Sequence, residues 1–168
     1  MTNENDELES VINKYSDMLY KICFVILKDA QDVQDVLQET FLAYHTKKPA
    51  FAFESEEHKK AWLIKVSQNK CREFLRFHKR HAAVSLDSID ETACITKGLS
   101  DEEKDLLSLV WSLNYNLKSV VILYYIEGYS IEETAGMLGL SVSAAKKRLE
   151  RARKKLRADY EGGFVYEE

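Results

Sequence analysis

SIEETAGMLGLSVSAAKKRLERARKKL, residues 130–156, carries its own punctuation. Ser130, followed three residues later by Glu133, makes a capping box, the reciprocal pairing of side chains with backbone N–H groups that opens a helix. The helix it predicts covers 131–138 and stops at Gly139, where the turn needs a positive φ that costs glycine little. Ser141 then caps a second, longer helix. In that helix Val142, Ala145, Leu149, Ala152 and Leu156 recur at spacings of three and four, forming one apolar stripe. The small Ala135 lets the two helices cross closely. A short helix, a glycine turn and a longer helix have the layout of a helix-turn-helix. In that motif the N-terminal part of the second helix enters the DNA major groove. Here that part carries Ser143, Lys146, Lys147, Arg148, Glu150 and Arg151, with Arg153, Lys154, Lys155 and Arg157 following. Lys146, Lys147 and Arg151 are placed to reach bases and phosphates, and the later cations to reach phosphate alone. A basic coiled coil would show the same stripe, but not the capped helix and glycine turn before it.

The chain has 168 residues and a formal net charge of −4, so a basic helix needs explaining. Residues 58–81 hold eight Lys/Arg against one Glu, and residues 141–158 also hold eight against one. The rest is acidic: twelve Asp/Glu against five Lys/Arg in 1–57, ten against three in 82–140, and four acids in the last ten residues. A single basic island reads as the solvated face of a helix. Two of equal size predict two nucleic-acid contacts, separated by acidic surface that faces something else and weakens nonspecific DNA binding by the free chain.

The remaining periodicity is helical as well. Leu8, Val11, Ile12, Tyr15, Leu19, Ile22 and Ile26 stripe a first helix within 6–27. Asp29 caps a second, with Val33, Val36, Leu37, Phe41 and Tyr44 inward. After a loop, 47–57, that holds the only proline, Ser55, Glu56 and Glu57 start a third helix carrying Trp62 and Val66. SQNK, residues 67–70, reads as a polar break before a fourth helix at about 70–80 with Phe74, Leu75 and His78. Phe74 is assigned to the core and Phe77 is left open. Residues 82–100 lose the periodicity and read as a linker. Ser100 and Glu103 form another capping box, opening a helix striped by Leu106, Leu107, Val110 and Trp111. A further helix over about 117–127 ends at Gly128. The expectation is an all-α chain of two small helical domains, 1–81 and 101–160, joined by the linker 82–100 and followed by a tail, 161–168.

Composition narrows the function classes. With 45% hydrophobic and 31% charged residues, 6 Gly and 1 Pro, the chain is globular and helix-favouring. Cys23, Cys71 and Cys94 are odd in number and far apart, which argues against a disulfide framework or a zinc site. The opening MTNENDELES lacks the basic and apolar regions of a signal peptide. No apolar run approaches the roughly 20 residues of a membrane span, so the expected protein is soluble and cytoplasmic. No nucleophile constellation is visible, and the acidic positions Asp32, Asp35 and Glu39 have no histidine close along their helix. Neither an enzyme nor a cofactor is expected.

Two further stretches, DVQDVLQETFLAYH (32–45) and AWLIKVSQNKCREFLRFHKR (61–80), taken in order with the helix-turn-helix, resemble the sigma-70 family of bacterial RNA polymerase initiation factors. The likeness is to the small extracytoplasmic-function type, which has only regions 2 and 4. It implies that Asp32, Asp35, Gln38, Glu39 and Phe41 belong to region 2.2, which binds the clamp coiled coil of the polymerase β′ subunit. It implies that 61–80 corresponds to regions 2.3 and 2.4, which open the promoter and read the −10 element. Gln68, Asn69 and Lys70 would then form a loop that holds a flipped base, and Arg72, Arg76, Lys79 and Arg80 would meet phosphate. The helix-turn-helix would be region 4, reading the −35 element and docking on the β flap. The implied partners are core RNA polymerase, promoter DNA and an anti-sigma factor, with no membrane insertion. Ser143, Ala144 and Ala145 stand where many relatives have Gly-Thr-Val, and Glu150 where an aromatic residue or histidine is common, so the −35 preference is expected to differ. The competing reading is an autonomous helix-turn-helix repressor or activator. A metal-dependent enzyme using the acidic helix ranks last.

Overall fold

A computed structural model describes residues 3–47, 53–80 and 97–164, without the side chains of Lys79, Arg80, Gly163 and Phe164. Its helices are α1 (Glu4–Leu27), α2 (Ala30–Lys47), α3 (Glu56–Arg80), α4 (Asp101–Ser112), α5 (Tyr115–Val121), α6 (Ile131–Leu138) and α7 (Val142–Phe164), with a π turn at Ile122–Ile126. No strand occurs among the described residues. They fall into two units, 3–80 and 97–164. No helix among them is long and apolar enough to cross a membrane.

In the first unit α1, α2 and α3 each pack against the other two. Their stripes meet at Leu19, Cys23, Phe24, Val33, Leu63, Ile64 and Cys71, none of which has exposed surface. Entry into α2 and α3 is set locally. The Asp29 carboxylate accepts the Asp32 N–H at 2.9 Å, and the Ser55 hydroxyl accepts the His58 N–H at 3.1 Å. Tyr44, Phe53 and Trp62 lie ring to ring at 5.7–6.3 Å and close the α2–α3 end. Cys23 and Cys71 are free thiols in contact with each other, and the bond to Cys23 together with burial pushes the Cys71 thiol well up. Cys94 lies outside the described residues.

Glu56 fastens α3 to α1. Lys59 donates to its Oε1 at 2.8 Å, while Lys14 and Tyr15 of α1 donate to Oε2 at 2.9 and 2.8 Å. These three donors, Lys59 foremost, hold its carboxyl down at about 2 against an ordinary 4.5. A depressed carboxylate stabilises the fold above its unfolded pKa, and the contribution is lost as the pH falls through the folded value. Glu56→Gln is therefore expected to lower the thermal midpoint slightly at neutral pH, since the site is exposed. The gap to wild type should close between pH 4.5 and about 2. A gap that stays constant across that window contradicts the assignment.

One expected boundary is absent. SQNK does not break the chain: α3 runs without interruption from Glu56 to Arg80. Ser67 and Gln68 sit three to five residues from Leu63 and Ile64 and three to four from Cys71, so they continue the buried stripe. The Ser67 hydroxyl donates to the Ile64 carbonyl at 2.9 Å, and Gln68 is 1% exposed. Burial against α1 and α2 overrides the local polarity of these residues.

In the second unit both capping boxes form, at Ser100/Glu103 and at Ser130/Glu133. α5 starts earlier than its periodicity indicates, because Asn114 accepts the Leu117 N–H at 3.1 Å. It passes into a π turn closed by a 2.9 Å bond from the Glu127 N–H to the Ile122 carbonyl. Leu113, Val121 and Ala152 form a buried cluster, with Val110, Leu117 and Leu156 packed against it. The expected inward stripe of α4 is only partly realised. No residue of α4 is fully buried, and Leu106 is more than half exposed. The linker residues 82–96 and the tail residues 165–168 lie outside the described residues.

Candidate nucleic-acid interface

α6 and α7 form the helix-turn-helix. Gly139 takes φ 66°, and the Leu140 N–H bonds back to the Ala135 carbonyl at 2.8 Å, which turns the chain sharply. Ser141 accepts the Ala144 N–H at 3.1 Å and starts α7. Thr134 and Ala135 of α6 are buried, as are Ala145, Leu149 and Ala152 of α7. With this stripe inward, the roughly 100° advance per residue fixes where the charges go. Ser143, Lys147, Glu150 and Lys154 run down the middle of the outer face, and all four are exposed. Lys146, Arg153 and Arg157 flank them on one side and Arg151 on the other, also exposed. Arg148 is half-buried at the edge. Glu150 pairs with Lys154 at 3.3 Å, which tempers the positive charge in the middle of the face.

Sequence reasoning missed a partner of this face. Tyr125 of the π turn accepts the Arg153 Nε–H at 2.5 Å, and the guanidinium lies 5.6 Å from its ring centre. The tyrosine bond raises the Arg153 pKa further, with only slight desolvation of this exposed guanidinium opposing it. Twenty-eight residues separate the two, so no local signal joins them.

On the first unit the structure sorts the expected residues onto two faces of α3. Asn69, Arg72 and Arg76 lie three and four apart on one face, and Lys65, one turn before Asn69, extends it. Lys65 was findable by that spacing. Arg72 is half-buried, and its Nε has no hydrogen-bond partner. Gln68 points into the core rather than out with Asn69, as a continuous helix requires. Lys70 turns the other way. It lies 3.5 Å from Glu39 of α2 and 3.6 Å from Glu73, in a groove of about 590 Å³ lined also by Asp35, Gln38, Phe74 and Phe77. The groove thus unites Asp35, Gln38 and Glu39 with a lysine grouped by sequence with the other basic residues. Phe41 is 7% exposed and belongs to the core, and Asp32 is half-buried in the first turn of α2. Phe74, expected in the core, is half-buried at the groove, and Phe77 is 60% exposed beside it.

Comparison with known proteins gives this arrangement a lineage. The family described as Sigma-70 region 2 matches residues 11–81, and that described as Sigma-70, region 4 matches residues 104–156. The chain is 30% identical to the RNA polymerase sigma factor CnrH of Cupriavidus metallidurans, over 76% of this chain and 72% of that protein. It is 27% identical to the ECF RNA polymerase sigma factor SigM of Bacillus subtilis, over 93% of this chain and 96% of that protein. A probable RNA polymerase sigma factor, RfaY of Xanthomonas campestris, is 30% identical over 81% of this chain, which spans 36% of the length of that protein. Among solved structures, CnrH in complex with the cytosolic domain of CnrY superposes with a TM-score of 0.68 at 26% identity, covering 95% of this chain and 90% of that one. Three packed helices matched by Sigma-70 region 2, ahead of a helix-turn-helix matched by Sigma-70, region 4, together with relatives that are sigma factors along most of the chain, leave one conclusion: the chain belongs to the sigma-70 family of RNA polymerase sigma factors, within its extracytoplasmic-function group.

Proposed function

We infer that the chain is a bacterial transcription initiation factor: it binds core RNA polymerase and directs it to promoters by contacting a −10 and a −35 element. The observation that carries this reading is the pair of basic helix faces, one on each unit, in a chain that is acidic elsewhere. Asn69, Arg72 and Arg76 on α3, with Lys79 and Arg80 after them, serve the −10 element. Asn69 offers an amide to a base edge, and the arginines offer guanidinium groups to phosphate. The exposed residues of α7 serve the −35 element. The α2–α3 groove, with Asp35, Gln38, Glu39 and Lys70, receives the β′ clamp, and the second unit docks on the β flap. Binding both units to one polymerase makes the second DNA contact intramolecular, so two weak contacts act as one strong one. The reaction itself is the polymerase's, and this chain contributes no catalysis. It acts in the cytoplasm, and an anti-sigma factor is the expected regulator, as CnrY is bound to CnrH.

The test is selection from a randomised duplex pool, by the chain alone and by the chain with core polymerase. Sequence enrichment is expected only with core, as two elements at a fixed spacing. Enrichment of a palindrome by the chain alone would overturn the reading. On the selected promoter, Lys147→Ala and Arg151→Ala are each expected to weaken use. A lost bidentate base contact costs about 1–3 kcal/mol and relaxes preference at one position of the −35 element. Unchanged strength and preference in both variants would remove this face from recognition.

A further inference from the structure

Arg153 differs from the other cations of α7 in how it is held. Its Nε–H, the inner donor of the guanidinium, is taken up by the Tyr125 hydroxyl at 2.5 Å. The four N–H donors on the two terminal nitrogens remain outside that bond. The guanidinium carbon lies 5.6 Å from the ring centre, on the hydroxyl side of the ring, as that hydrogen bond requires. Both side chains are exposed, so the contact does not serve to bury apolar surface. Tyr125 reaches this position through the π turn, a widened turn of a kind that concentrates at functional sites. A guanidinium fixed through Nε, with its outer fork open to solvent, matches the paired oxygens of a phosphate. Arg153 lies two turns beyond Lys146 on the same flank of the helix, where a strand of the DNA backbone would pass.

We propose that Tyr125 is a positioning residue of the DNA interface, aiming the Arg153 guanidinium at a backbone phosphate. The proposal rests on α7 being the DNA-contacting helix. It assigns the π turn a purpose and accounts for a tyrosine that is 53% exposed and yet engaged.

The test is a double-mutant cycle on the full chain, Tyr125→Phe, Arg153→Ala and both together. Binding of each variant, assembled with core polymerase, to the selected promoter duplex is followed by fluorescence anisotropy over a range of salt concentrations, and the thermal midpoint of each free variant is recorded. Tyr125→Phe keeps the ring and removes only the hydroxyl. It is expected to weaken binding roughly three- to tenfold while leaving the thermal midpoint unchanged. Arg153→Ala is expected to reduce the slope of log K against log salt by about 0.9, the loss of one phosphate contact. In the Arg153→Ala background, Tyr125→Phe should have no further effect. Losses that simply add, or a Tyr125→Phe variant that binds as wild type, would overturn the proposal. So would an unchanged slope in Arg153→Ala. If neither Arg153→Ala nor Lys147→Ala changes binding, the DNA-contact reading of α7 falls, and the proposal with it. A loss in either variant without coupling between Tyr125 and Arg153 sinks the proposal alone.

Discussion

Asp35→Arg combined with Gln38→Ala is expected to abolish co-elution of the chain with core RNA polymerase, with a circular dichroism spectrum that remains that of wild type. Both side chains are exposed on the wall of the α2–α3 groove and neither belongs to the core, so the helices do not depend on them. Surface substitutions of this kind change stability by about ±0.5 kcal/mol or less. At a docked interface the balance is different. Removing one member of a buried, hydrogen-bonded charge pair costs about 2–5 kcal/mol, and each 1.4 kcal/mol is about a tenfold loss of affinity. Reversing the sign at Asp35 adds repulsion to that loss, and Gln38 takes away a neighbouring hydrogen-bonding group. Undiminished co-elution with a normal spectrum would exclude this groove from the polymerase contact.

Phe24→Ala is expected to unfold the first unit well below the wild-type temperature. Phe24 has no exposed surface, and its ring stacks on Tyr20 at 6.1 Å. Truncating a buried phenylalanine costs about 3–5 kcal/mol, for the lost transfer of the ring and the cavity left behind. A domain has only about 5–15 kcal/mol to lose. For a unit of this size each kcal/mol lowers the midpoint by about 4–8 °C, so a fall of more than about 10 °C is expected in a thermal melt. Phe77→Ala is the control. That ring is 60% exposed at the groove, and its loss should barely move the midpoint while weakening whatever docks there. The opposite ranking would mean that core and surface of this unit have been confused.

What could be read from sequence divides by range. The caps at Asp29, Ser55, Ser100, Ser130 and Ser141 are chemistry within four residues, and all of them form. The stripes of α1, α2 and α7 are one-dimensional periodicities, and they mark the buried faces directly. SQNK misled because its polarity is local while its burial is tertiary. Nothing within the segment reveals that α1 and α2 cover Ser67 and Gln68. Phe74 and Phe77 share a face of α3, and whether that face is core depends on elements elsewhere in the chain. Among the site residues, the two basic islands were legible as charge, but the face each residue takes was not. Lys70 and Arg72 are two residues apart, so a continuous helix sends them to different sides: Lys70 to Glu39, Arg72 away from the groove. With a break at 67–70 the two would have been free to point together. The π turn and the Tyr125–Arg153 bond left no trace that periodicity detects.

Run-off transcription from a library of genomic fragments, by core polymerase with and without this chain, decides whether the chain directs initiation. Transcripts are expected that require the chain and start just downstream of two short elements shared at one spacing. They should be lost with Asp35→Arg/Gln38→Ala. Transcripts that do not depend on the chain, together with tight binding of the chain alone to a palindromic duplex, would contradict the account and make the protein an autonomous repressor.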